Sequence, residues 1–132
     1  MVAQGEGLLS PNWAEEDRFS NNKVKFLVEN IAVEFDKLLE TLGYVREGLY
    51  YRVAKENTDT VAMVSHGGSS SAVFAHLLNL PFPFVCETLR NRLTSVTILT
   101  LKGEEGALIS PRIEVMNDAG HINGIGPEYY GT

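Results

Sequence analysis

Residues 61–71 read Val61-Ala62-Met63-Val64-Ser65-His66-Gly67-Gly68-Ser69-Ser70-Ser71, and their reading decides the fold. Four apolar residues in succession, 61–64, form the pattern of a strand buried on both faces. His66-Gly67-Gly68 ends that run. A helix is then expected over residues 69–80, with Val73, Leu77 and Leu80 on one side, Ser69 or Ser70 near its cap, and Pro81 and Pro83 stopping it. Ligands of open α/β sheets bind beyond the carboxyl ends of the strands. A helix start offers free N–H groups and the positive end of the helix dipole. Gly67 and Gly68 let a ligand approach the backbone, and His66 adds a donor that can become cationic. The stretch therefore reads as a cradle for a small anion, most naturally a phosphate group. The plainer alternative is a tight turn with a polar residue at a strand end.

Upstream, Val24, Leu27, Ile31, Phe35, Leu38 and Leu42 recur at spacings of three and four, which predicts a helix over residues 22–42. Ser20 or Asn21 can cap its start, and Gly43 suits a left-handed stop. A second, short helix is expected over 48–56, and Asn57-Thr58-Asp59 forms a turn. Residues 1–21 are polar and without period, an irregular approach segment. Downstream, residues 95–101 alternate and are rich in Val, Thr and Ile, a strand. Residues 103–106 make a turn, and 107–116 a second strand antiparallel to the first, with Pro111 favouring an edge or bulge. The Gly-rich tail from Asn117 reads as loop. Helix, strand, helix and hairpin together indicate a single domain over 1–132 of the α/β class, in three α/β/α layers.

Composition narrows the function. The chain has 132 residues, room for one domain, and a formal net charge of −6. With no Lys/Arg cluster to offset that charge, neither nucleic acid nor an anionic membrane is an expected partner. Any phosphorylated ligand must be held by local groups against the overall field. The single cysteine, Cys86, allows no intrachain disulfide and fits a reducing cytoplasm. The N-terminus lacks a signal-peptide pattern. The longest apolar stretch, 73–86, is interrupted by His76, Asn79, Pro81 and Pro83 and is too short to span a bilayer.

Other chemistries fit poorly. An esterase oxyanion loop would continue past His66-Gly67-Gly68 with a further glycine, and no G-x-S-x-G elbow occurs. His66, His76 and His121 lack metal-ligand spacing, so neither a metal nor another cofactor is expected. No P-loop is present. His76 reads as a boundary or surface histidine, His121 as an exposed imidazole in a turn, and Cys86 as a buried thiol.

Residues 61–80, VAMVSHGGSSSAVFAHLLNL, resemble the second-histidine motif of the histidine phosphatase superfamily, which includes the phosphoglycerate mutases. Residues 94–99 resemble that family's next strand, and 117–122 its closing segment. The resemblance covers roughly residues 20–122, with the strand–His–Gly–Gly–helix motif as its sharp element. It implies a phosphoglycerate mutase-like fold. It also implies a mechanism in which a histidine of an Arg-His-Gly motif, at the end of the first strand, takes up a phosphoryl group and passes it to water or an acceptor. Two arginines and the second histidine hold the phosphate oxygens, and an acidic residue handles the leaving-group proton. By motif match, His66 takes the second-histidine role as a catalytic and phosphate-binding residue, and Gly67 contributes a backbone donor.

One departure is large: no Arg-His-Gly occurs in this sequence, because none of Arg18, Arg46, Arg52, Arg90, Arg92 and Arg112 precedes a histidine. The resemblance therefore implies the C-terminal portion of such a protein, with an incomplete sheet whose first strand is missing. Residues 61–64 should then show an open edge and exposed apolar faces, and the chain should associate with another copy or with a missing N-terminal segment. The expected ligand is a small phosphorylated metabolite or inorganic phosphate, bound with little or no turnover by this chain alone. The alternative is a non-catalytic phosphate-binding or interaction module. Glu87 and Glu47 are available carboxylates, and no motif assigns either the acid role.

Overall fold

A computed structural model describes residues 12–15 and 23–122. A 3-10 turn at Trp13–Glu15 precedes the first long helix, α1 (Val24–Thr41). Gly43 follows it at φ +99°, and its N–H donates to the Glu40 carbonyl, the left-handed stop expected there. The proposed caps Ser20 and Asn21 lie outside the described residues. Ile31, Phe35 and Leu42 pack on the core as their spacing requires, but the buried residue at the C-terminal end is Leu39 rather than Leu38.

The short helix expected over 48–56 is not formed. Strands β1 (Tyr44–Glu47) and β2 (Tyr50–Val53) make an antiparallel hairpin there, pairing Tyr44 with Val53 and Glu47 with Tyr50. The loop is Gly48-Leu49, with Gly48 at φ +65°, as two-residue hairpin loops require of their first position. Tyr50-Tyr51-Arg52-Val53 buries every second residue, the period of a strand, and its aromatic and β-branched members suit a pleated surface.

The strand expected over 61–64 is also absent. Those residues make no ladder with any described strand, and Val61, Met63 and Val64 are 52%, 51% and 99% exposed. A strand is stable only with a neighbour to satisfy its N–H and C=O groups, and none lies beside this run among the described residues. The apolar side chains of this run are exposed, but on an irregular segment and not as the faces of a strand.

Helix α2 (Gly67–Leu78) starts two residues earlier than expected. It ends at Asn79, which is left-handed at φ 55°, so the helix stops before either proline. Pro81 and Pro83 instead open a further helix, α3 (Phe82–Thr88), where first-turn prolines cost no hydrogen bond. Strand β3 (Val96–Thr100) falls as read. The single strand expected over 107–116 is divided at Ser110-Pro111 into β4 (Leu108–Ile109) and β5 (Arg112–Asp118). β4 joins the hairpin in a sheet of order β1-β2-β4, while β5 pairs antiparallel with β3. Pro111 has no N–H to donate, so the ladder breaks there and the chain crosses from one sheet to the other.

The result is an α/β fold of helices on small antiparallel sheets. α2 packs on both α1 and α3 and is buried nearly all round. Val73 and Leu77 join Leu39, Tyr44, Tyr51 and Val53 in one core cluster. Phe74 and Ala75 join Val85 in a second, and Leu99 of β3 touches both. The N-terminus of α2, with His66 ahead of it, is thereby held on a rigid base. No single helix among the described residues is long and apolar enough to cross a membrane.

Candidate phosphate site at the start of α2

His66 is the N-cap of α2, with extended backbone (φ −103°, ψ 164°) and an exposed imidazole. Serines brace its main chain. The His66 N–H donates to Ser69 Oγ at 3.3 Å, Ser69 Oγ donates to the His66 carbonyl at 3.1 Å, and Ser65 Oγ lies 2.6 Å from Ser69 Oγ. The Ser70 N–H closes the first helical turn onto the His66 carbonyl at 2.8 Å. These bonds hold the residue's main chain while its ring stays in solvent.

Gly67 and Gly68 are exposed, neither has positive φ, and a Cβ built on either meets no atom within 4 Å. Neither packing nor backbone geometry therefore demands glycine here. What the missing side chains leave is an open approach to the first N–H groups of α2, which have no intrahelical acceptor. A helix start with this opening and a histidine beside it can hold a phosphoryl oxygen.

Two asparagines fix the neighbouring loop: Asn91, for which the sequence suggested no role, and Asn117, which opens the segment read as the family's closing one. Asn91 Nδ2 donates to the Gly67 carbonyl at 3.3 Å and to Ser71 Oγ at 3.2 Å, and Ser71 Oγ donates to the same carbonyl at 2.8 Å. Asn117 Nδ2 donates to the Arg90 carbonyl at 2.6 Å, and its Oδ1 accepts from the Arg92 N–H at 2.8 Å. The loop after α3 is thus tied on one side to the start of α2 and on the other to the end of β5. The only available signal was Asn-containing turn chemistry, which does not say what an asparagine will bind.

Structure separates the other candidates. His76 sits half-buried with Nε2 2.8 Å from Asp36 Oδ2, joining α2 to α1. His121 is exposed, 3.0 Å from Thr94 Oγ1. Burial pushes the Cys86 thiol up from its ordinary range, which makes it a poor nucleophile. Among the described residues no group of three His, Cys, Asp or Glu side chains is arranged to hold a metal.

Of the two carboxylates, Glu47 is paired with Arg52 through bonds of 2.9 and 2.8 Å on the exposed hairpin. The hydrogen bond from Arg52 holds its carboxyl below the usual range, the opposite of what a general acid needs. Glu87 lines the cleft beside Arg90 and Arg92. Of the arginines, Arg46 is spent on the Asn79 side chain at 2.6 Å and Arg52 on Glu47, and Arg18 lies outside the described residues.

The family model of the histidine phosphatase superfamily (branch 1) matches residues 12–114. The chain belongs to that superfamily. No curated protein and no solved structure matches it.

Proposed function

We propose that this chain provides the second-histidine half of a phosphohistidine site: His66 and the Gly67 N–H bind a phosphoryl group of a small phosphorylated metabolite. The observation that carries the proposal is the open approach at Gly67 and Gly68 beside the exposed His66, inside the family-matched region. The nucleophilic histidine would come from an Arg-His-Gly segment outside this sequence. Alone, the chain binds phosphate and turns over little or nothing, since the remaining donors stabilise charge but form no covalent intermediate. The single thiol is consistent with work in the cytoplasm.

Titration with inorganic phosphate, followed by NMR, tests the site. The His66 ring and the Gly67 amide should shift together, and His66→Ala should weaken binding. Unmoved signals would refute the site and leave an interaction module. Hydrolysis of an aryl phosphate by the pure chain, abolished by His66→Ala, would refute the need for an outside nucleophile.

The unpaired residues 61–64 support a second part of the proposal: in isolation this run is covered by a second copy of the chain, pairing as a strand. The support is the coincidence of exposed Val61, Met63 and Val64 with an unpaired backbone. Gel filtration should give a species larger than the monomer, which Val64→Asp returns to monomer. A clean monomer with a cooperative melt would overturn it. Dissociation of the dimer by an added Arg-His-Gly strand would show that the working occupant is that segment.

A further inference from the structure

Among the described residues, the two small sheets end in the outer edges of β1, β4, β3 and β5. Three of these edges are blunted. β1 carries Arg46 and Glu47, and β5 carries Arg112, Glu114 and Asp118. β4 is only Leu108–Ile109 and runs on to Pro111. Charges, prolines and short length keep an open edge from pairing with a stray strand. β3 has none of these. Its surroundings, Ser95-Val96-Thr97-Ile98-Leu99-Thr100-Leu101, are uncharged and free of proline.

One face of β3 is uncovered as well. Leu99 packs on both core clusters, and Thr97 Oγ1 accepts from the Asn117 N–H at 3.0 Å, so these two lie on the inner side. Val96 and Ile98 share the opposite face and are exposed. A two-stranded sheet is marginal in water and gains stability from a further strand. The matching defect lies in Thr60-Val61-Ala62-Met63-Val64-Ser65, which is also without charge or proline. Residues 61–64 make no ladder among the described strands, and Val61, Met63 and Val64 are exposed. Extended, these four residues span about 13 Å, against about 16 Å for the five residues of β3. In a chain of net charge −6, the two uncharged segments are places where copies can meet without like-charge repulsion.

We propose that two copies of the chain exchange these segments: residues 61–64 of each copy pair, as a strand, with the free edge of β3 of the other. The exchange rests on the reading that a second copy covers 61–64, and it names the surface that receives the run. A two-fold axis makes the contact reciprocal, so both runs and both β3 edges are satisfied in a closed dimer and no longer chain of copies grows. Ladder bonds take up the N–H and C=O groups of 61–64. All four residues of the run are apolar, so either pleat register sets apolar side chains beside Val96 and Ile98.

Light scattering on the intact chain and two variants provides the test. The unmodified chain should be a dimer. Ile98→Lys puts a charge on the receiving face, at a side chain that is exposed in the single copy, and should give a folded monomer. Val64→Asp spoils the donated run and should also give a monomer. Mixed in equal amounts, the two variants should form a heterodimer, because the intact run of the first fits the intact β3 of the second. In the unmodified chain, amide hydrogen exchange should slow with rising concentration in both 61–64 and 96–100. A dimer that survives Ile98→Lys, or variants that stay monomeric when mixed, would overturn the exchange while leaving the second-copy reading standing. A monomeric unmodified chain would refute that reading, and the exchange falls with it, leaving both segments to some other occupant. If Ile98→Lys does not fold, amide exchange decides: slowing in both segments supports the exchange, and slowing in 61–64 without β3 refutes it.

Discussion

Tyr51→Phe removes one oxygen from the centre of a polar network that joins α1, the hairpin and α2. Tyr51 is fully buried. Its hydroxyl donates to Asp36 Oδ1 at 2.6 Å and accepts from Arg46 Nη1 at 3.3 Å, while Asp36 Oδ2 lies 2.8 Å from His76 Nε2. The phenylalanine ring fills the same space, so the cost is almost wholly the lost hydrogen bond. A bond to a charged acceptor contributes about 1.5–3 kcal/mol. Asp36 is still partly reached by water, which can replace the donor and pulls the expected loss to about 2 kcal/mol. For a chain of this length that corresponds to a fall in Tm of roughly 5–10 °C. Thermal and urea unfolding of the two proteins measure it, and a cycle with Asp36→Asn isolates the coupling, expected at about 1 kcal/mol or more. A loss under about 0.5 kcal/mol with additive single variants would show that the network orders nothing.

The same tyrosine predicts an alkaline limb. Burial first, then the hydrogen bond to Asp36, raises its phenol above the ordinary range. The folded state therefore keeps a proton that the unfolded chain loses near pH 10, so this contribution is complete below that pH and is lost as pH rises beyond it. Ultraviolet titration should show one phenol that ionises only with unfolding, and Tyr51→Phe should flatten the limb. Gly43→Ala should destabilise by at least about 2 kcal/mol, since its left-handed φ disfavours a side chain and the new methyl would meet the Lys55 carbonyl oxygen. Gly48→Ala, left-handed but in open space, should cost only about 1–2 kcal/mol by the same unfolding assay. Gly67→Ala should leave stability within about 0.5 kcal/mol, yet weaken phosphate binding, because its methyl occupies only the open approach. A variant that binds phosphate normally would argue against a ligand at that backbone.

Features governed by near neighbours were legible from residue order. The spacing of Ile31, Phe35 and Leu42 announces one face of α1, and Gly43 its stop. The break from His66 through two glycines into a helix marks the candidate site, and alternation around Ile98 marks β3. Misreadings came where two local patterns compete. Residues 48–56 carry helix-compatible spacing, but Gly48 starts a hairpin and Tyr51 and Val53 share one buried face. Pro81 and Pro83 mark a helix boundary, and only the chain's path shows that they begin α3 rather than merely ending α2.

By itself the sequence determined the helix periods, the His66-Gly67-Gly68 punctuation and the family, because each is written in residues a few positions apart or in a contiguous motif. Tertiary structure decided the rest. It left 61–64 without a strand partner among the described residues, divided 107–116 between two sheets, and tied the loop after α3 to Gly67 through the Asn91 side chain. Those outcomes depend on which distant backbone and side-chain groups satisfy one another, and a run of residues does not carry that information.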